Sequence, residues 1–426
     1  IIRWQFLALL AIVLLGLALR LYGLNWDEGN GFHPDERQIL FHVMMLAWPG
    51  SLIQFFDVAN SPLNPHFFAY GSFPLYLLAA LSNILAHFYP AINTFANLTL
   101  VGRVLSAFFD SGTVLLTGWL GLLLASDFGL ERRQGWNVAL LAAALVAFTP
   151  FQLQLAHFYA VDSLLLFFVT LTILASVALV NTNAPVRWSI VAGLGYGLAL
   201  ATKFSAAPLA VSLFVALLLR WRYHGLLSAL LACVYSISTL ILVFLIAMPY
   251  ALLDFSDFVQ QIAEQGSLAR GMLDLPYVRQ FAGTTPYVYE AQNMVLWGMG
   301  VTLGVAAFIG FVWLCWRVWR RDAGNWLVVL AWVVTYSAIT GSFYVKFMRY
   351  MLPVYPFLTL MAAAVLVALA NQEWVKHSRY VFLRALPLIA VGIVLAGTMF
   401  QGLALLNVYS QPNTRIQASR WMFSHI

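Results

Sequence analysis

Long apolar runs, each closed by one or two isolated charges, set the pattern of this chain. Runs long enough to cross a bilayer, about 20 residues, lie near 5–21, 102–125, 137–155, 162–181, 188–202, 204–220, 226–249, 294–316, 325–342, 348–370 and 383–406. A further run, 72–88, carries Pro74, Ser82, Asn83 and His87 and reads as an interfacial or re-entrant helix on the outer side. That placement lets ERRQ at 131–134, RWRYH at 220–224, RVWRR at 317–321 and KHSRYVFLR at 376–384 all face the cytoplasm, as the positive-inside rule requires. The pattern predicts an all-α polytopic membrane protein, one domain over 1–426, with about eleven spans. Its N-terminus is expected in the cytoplasm and its C-terminus outside, in a plasma (inner) membrane.

Two outer loops interrupt the pattern. The first, 22–100, is rich in turn formers. In it Pro34 suits the first position of a helix, and Asp35 and Glu36 fall in the first turn, where negative charge is favoured. Ile39, Leu40, Val43 and Met44 recur at helical spacing, which predicts an amphipathic helix on the membrane with its acidic start facing the protein. The second loop, 250–293, predicts a short surface helix followed by the aromatic segment TTPYVYEAQN. The run from Arg187 to Arg220 is too long for one span, so a hairpin turn near Thr202-Lys203 is expected, with Gly193, Gly195 and Gly197 permitting close helix approach. The chain begins at Ile1 and stops in ASRWMFSHI, which reads as the start of a helix. A further extracytoplasmic region beyond residue 426 is therefore expected.

Composition agrees: 62% of residues are hydrophobic and only 9% charged. The formal charge of +6 comes with no basic stripe or stacking platform, so nucleic acid is not an expected partner. Cys233 and Cys315 both fall inside spans and imply neither a disulfide framework nor a metal site.

The few charges therefore carry the functional reading. Arg20, Arg103, Lys203, Lys346 and Arg349 all fall at the outer ends of apolar segments, and a ring of cations at one depth suits an anionic ligand. Snorkelling to lipid headgroups is the plainer alternative for any one of them. Lys346 and Arg349, three residues apart, are expected on one helix face. Asp110 lies two turns beyond Arg103 on about the same face and reads as a structural ion-pair partner. With Asp35, Glu36, His157 and Asp162 on the same side, carboxylates are available to deprotonate a hydroxyl or amine. The cations can hold a phosphate and stabilise its charge as it leaves. A sugar transferred from a polyprenyl-phosphate carrier fits that combination.

Five segments resemble the GT-C glycosyltransferases, in order along the chain. They are FHPDER in the first outer loop, VGRVLSAFFDSGTVLLTGWLG at 101–121, TPFQLQLAHFYAVDSLLLFFVTL at 149–171, GLGYGLALATKFSAAPL at 193–209 and VKFMRYMLPVYPFLTLMAA at 345–363. The similarity is to the branch of protein O-mannosyltransferases and lipid A aminoarabinose transferases. It implies a GT-C-like bundle with interfacial helices in its first loop, and inverting transfer from a polyprenyl-phosphate sugar to a lipid, glycan or protein acceptor. By position it implies Asp35 as catalytic base, Glu36 beside it for positioning or acceptor binding, and Asp162 as a further acidic site residue. Arg103, Lys203, Lys346 and Arg349 would contact the donor phosphate, and His157 and Tyr350 the substrate. No cofactor is required, although the carboxylates at 27–28 and 35–36 leave a divalent cation open. His33-Pro34 and the second acidic pair, Asp27-Glu28, depart from the family pattern. They leave open a different acceptor, or a catalytically silent subunit that scaffolds a larger membrane complex.

Overall fold

A computed structural model of the protein describes residues 2–321 and 323–426; Ile1, where the chain begins, lies outside them. Among the described residues every regular element is helical. Eight helical segments are apolar and long enough to cross a membrane, nine if the pair bent by 58° at Thr149 counts as one span. The protein is multi-pass. The expected spans coincide with α1 (Ile2–Leu21), α4 (Phe95–Leu124), the bent pair α5 (Arg132–Phe148) and α6 (Pro150–Ala156), α7 (Val161–Asn181), α8 (Pro185–Thr202), α9 (Leu209–His224), α10 (Leu226–Ala247), α13 (Val301–Trp319), α14 (Trp326–Thr340), α15 (Tyr355–Ala370) and α16 (Val381–Ser410). Two of these are not full spans by length and apolarity: α8 is diluted by Pro185, Arg187 and its glycines, and α14 has only 15 residues. The run at 72–88 forms α3 (Phe73–Ala86), 14 residues or about 21 Å long, too short for a hydrocarbon core of about 30 Å.

The core sits around α7 and α15, whose spans are each 83% buried, whereas α1 and α10, at 17%, turn most of their surface outward. The bend between α5 and α6 falls where Pro150 opens the second helix and cannot continue the ladder of the first. The hairpin near Thr202-Lys203 forms as expected: α8 stops at Thr202 and a short 3-10 turn, Phe204–Ala206, leads into α9. A Cβ at Gly193 or Gly197 would strike the α10 backbone, and one at Gly195 would strike Thr172 on α7, so all three glycines serve close packing.

Helix α2 (Pro34–Met45) begins as the sequence predicts, with Pro34 at its first position. Its apolar stripe differs from expectation. Ile39, Leu40 and Val43 are buried in the main core against neighbours from α3 and α4, while Met44 and Phe41 are exposed. Protein, rather than membrane, takes the inward face of α2, because α3 and the long α4 rise beside it. The second outer loop holds α11 (Phe255–Ala269), the expected surface helix, and the short α12 (Val288–Asn293). The chain closes with α17 (Thr414–His425).

Candidate functional site

The charges separate into a buried layer and a partly open one. In the buried layer Arg103 spends all five N–H groups inside the protein. Its Nε and Nη2 donate to Glu36 at 2.9 and 2.7 Å, and its Nη1 and Nη2 to Asp27 at 3.0 and 2.9 Å. Nη1 also donates to the Leu24 carbonyl at 2.6 Å. Arg103, Glu36 and Asp27 are all 0% exposed. Glu36 further accepts the Tyr159 amide at 2.8 Å, and the Trp26 ring lies 5.0 Å from the guanidinium. Burial alone pushes the Asp27 carboxyl up, but the bonds and charge of Arg103 and the amides of Phe32 and Gly29 outweigh it and hold the group below its usual range. Neither Arg103 nor Glu36 has a free atom for a phosphate or an acceptor. Together they clamp the first turn of α2, and the expected contacts of Arg103 with a donor phosphate and of Glu36 with an acceptor would require this clamp to open.

The partner expected for Arg103 goes elsewhere. Asp110 pairs with Arg20, which also donates to the Gly16 and Ala147 carbonyls at 3.0 and 3.1 Å. Arg20 thus leaves the cation ring and ties α1 to α4. His157, expected to contact the substrate, is enclosed by its own packing. It is fully buried, its ring nitrogens face the Leu153 and Tyr22 carbonyls at 2.6 and 2.8 Å, and it stacks on Tyr409 at 4.0 Å.

The partly open layer holds Asp35, Arg349, Lys203 and Tyr350, with the buried Asp162 behind Lys203. Asp35 forms an ion pair with Arg349; their side chains are 18% and 23% exposed. Lys203 Nζ lies 3.1 Å from Asp162 Oδ1 and 5.5 Å from the centre of the Tyr350 ring. Residues 349 and 350 sit on a 3-10 turn, Met348–Val354, that leads into α15 and brings both pairs together. The turn is pinned by Tyr336 Oη, which donates to the Tyr350 carbonyl at 2.9 Å, and by Trp332 Nε1, which donates to that of Pro353 at 2.9 Å. Lys346 precedes this turn and does not share a helix face with Arg349. It is 4% exposed, and its Nζ donates to the Tyr344 carbonyl at 3.0 Å.

Two residues join the site without an advance signal. Burial pushes the Tyr70 phenol up, and the nearby charge of Asp162 adds to the effect. His33, noticed only as a departure from pattern, caps α2: its Nδ1 accepts the Glu36 amide at 3.3 Å while its ring stacks on Phe158 at 4.3 Å. Burial, then Arg349 and Arg103, push its pKa down from 6.5 to about 4. A group shifted this way binds fewer protons folded than unfolded, so its contribution to stability is complete above pH 6.5 and is lost as pH falls toward 4. The unfolding temperature should fall across that window, and His33→Asn, which caps without titrating, should flatten the slope. Equal slopes in the two proteins would refute this role.

The acidic residues at 27–28 and 35–36 do not converge on a cation position, since Asp27 and Glu36 face Arg103 while Glu28 pairs with Arg420. Among the described residues, His66, Asp254 and Asp257 bring metal-ligating atoms within 4.8 Å of one another. The Asn64 amide nitrogen lies among them, 2.9 Å from Asp254 and 3.2 Å from His66, and Gln261 donates to Asp257 at 3.0 Å.

Residues 128–251 match the family model described as Dolichyl-phosphate-mannose-protein mannosyltransferase. No curated protein matches the chain. Among solved structures, the oligosaccharyltransferase of Archaeoglobus fulgidus in complex with Zn and sulfate aligns with a TM-score of 0.61 at 15% identity, over 98% of this chain and 55% of that one. The same archaeal enzyme, AglB, in complex with an inhibitory peptide and a dolichol-phosphate gives 0.59 at 14% identity, over 99% and 58%. ArnT from Cupriavidus metallidurans bound to undecaprenyl phosphate gives 0.58 at 15% identity, over 95% and 76%. The chain thus spans somewhat more than half of the archaeal enzyme's length. The chain thus shares the fold of these glycosyltransferases over nearly its whole length, as the resemblance implied, and resembles the mannosyltransferase family in sequence over residues 128–251.

Proposed function

We propose that this protein transfers a sugar from a polyprenyl-phosphate donor to an acceptor hydroxyl or amine at the outer face of the membrane, with inversion. The observation that carries this reading is the open pairing of Asp35 with Arg349 beside Lys203, Asp162 and Tyr350. The other charged groups expected at this site are locked inside the protein. An acidic base next to a cation that can also reach a phosphate is what a single displacement needs. Asp35 takes the proton of the acceptor, and the acceptor oxygen or nitrogen bonds to the anomeric carbon. The bond from that carbon to the phosphate oxygen breaks, and polyprenyl phosphate departs with its added charge held by Arg349 and Lys203. One displacement inverts the anomeric centre. Asp162 holds Lys203 in place, and Tyr350 and Tyr70 supply ring surface and hydroxyls for the sugar.

A site on this side would work on a plasma (inner) membrane with the N-terminus in the cytoplasm and the C-terminus outside. The binding of undecaprenyl phosphate by ArnT, and of dolichol-phosphate by AglB, supports the choice of donor. Purified protein in lipid, given a panel of undecaprenyl-phosphate sugars, should release undecaprenyl phosphate with at least one of them. Neither release nor binding with any donor would overturn the reading in favour of a silent scaffold subunit.

A further inference from the structure

Five carboxylates among the described residues are buried: Asp27, Glu36, Asp110, Asp162 and Glu290. The first four each hold a cation by an ion pair. Glu290 is 8% exposed, makes no ion pair and meets no side-chain donor among the described residues; only its own amide and that of Tyr287 lie near its carboxylate. Burying an acid with so little to answer it is costly, and the backbone beside it is itself constrained. Tyr287, three residues earlier, lies at φ 63, in the left-handed region that a bulky residue enters only under constraint. It is held there by its amide, which donates to the Gly341 carbonyl at 3.3 Å, and by its hydroxyl, which donates to that of Ala338 at 3.0 Å.

Among the described residues no group answers the Glu290 carboxyl fully. Burial pushes it up; its own amide, the charge of Lys346 and the Tyr287 amide pull only part of the way back. Lys346 Nζ itself is bonded to the Tyr344 carbonyl. The position adjoins the open layer, because the neighbouring Tyr289 shares an apolar cluster with Phe347 and Tyr350.

We propose that Glu290 is an acceptor-binding residue: its carboxylate receives an O–H or N–H of the acceptor, in a subsite bounded by Lys346 and Tyr289 and opening toward Tyr350. This inference rests on the transfer reading above and names the group that recognises the second substrate. A partner hydroxyl or amine supplies the hydrogen bond that the fold withholds.

Two measurements separate its failure from failure of that reading. The first needs no turnover. Protein in nanodiscs is treated with a carbodiimide and glycine ethyl ester, and each carboxyl is followed by mass spectrometry. Glu290 should be modified at a rate within ~10-fold of the exposed Glu264, while Glu36 stays inert, since a subsite must admit a small amine and a sealed core does not. A Glu290 as inert as Glu36 overturns the subsite.

The second uses glycerol and ethanolamine as acceptor probes with an active undecaprenyl-phosphate sugar. Glu290→Gln should raise the acceptor KM by ~10-fold, the loss expected for one hydrogen bond to a charged group. The donor KM and the rate of donor hydrolysis should stay unchanged, and Glu290→Asp should recover part of the loss. Equal losses in transfer and hydrolysis, or an unchanged acceptor KM, overturn the proposal. A wild type that turns over no donor overturns the transfer reading itself, and the labelling result then decides alone whether Glu290 lines an open subsite.

Discussion

Arg103→Leu should leave little folded protein. The substitution strands Asp27 and Glu36, two carboxylates at 0% exposure whose geometry is built around one guanidinium. Removing one partner from a buried ion cluster costs roughly 3–5 kcal/mol, because the remaining charge has neither water nor counter-ion. Here two charges remain, which is a large share of the 5–15 kcal/mol typical of a folded domain. Glu36→Ala should be milder, since Arg103 keeps Asp27. Glu36→Gln should lie close to Glu36→Ala: its amide oxygen can still accept from Tyr159 and Arg103 Nε, but its NH2 then faces the Arg103 Nη2 that Oε2 accepted from. The order is read from unfolding temperatures of detergent-purified protein and from the monodisperse fraction after extraction. Arg103→Leu within a few degrees of wild type would show that the clamp does not hold the first outer loop.

The same cluster marks where sequence reading stops. The spans, the start of α2 at Pro34 and the hairpin at Lys203 follow from periodicity, proline and glycine placement, which are local properties. Ion-pair choice is not local. Arg103 and Asp110 lie seven residues apart on one helix, yet each finds its partner 67 to 90 residues away in sequence. The loop after α1 folds back over α4, delivering Asp27 and Glu36 to Arg103, while Arg20 at the end of α1 reaches Asp110. The same event buries the apolar stripe of α2, which from sequence alone is equally suited to a lipid surface. Asp35 was legible as a candidate because its acidic neighbour marked the motif. Which of the two acids is open depends on α2's rotation, and Glu36 is the one turned inward. Glu290 carried no signal, since only the absence of a partner in three dimensions sets it apart from any other loop carboxylate.

Asp35→Asn should abolish transfer while sparing the fold. General-base assistance is worth 10²–10⁴-fold, so release of polyprenyl phosphate should fall by about 10³-fold. The fold should survive, because the Asn oxygen can still accept from Arg349 in place of the carboxylate. Donor affinity supplies the sharper test. If the proposed transfer holds, Arg349 of the wild type divides its charge between Asp35 and the donor phosphate. Neutralising Asp35 removes the competing anion and should tighten donor binding even as turnover disappears. Arg349→Gln should do the reverse, weakening donor binding and leaving Asp35 able to take a proton. The opposed signs distinguish a base beside a phosphate site from two surface charges in a structural pair, for which neither variant would move donor affinity. An Asp35→Asn protein that keeps more than a tenth of wild-type release would remove Asp35 as the base. Among the described residues the next carboxylate would be Asp162, buried and held by Lys203, which would have to be released to serve as base.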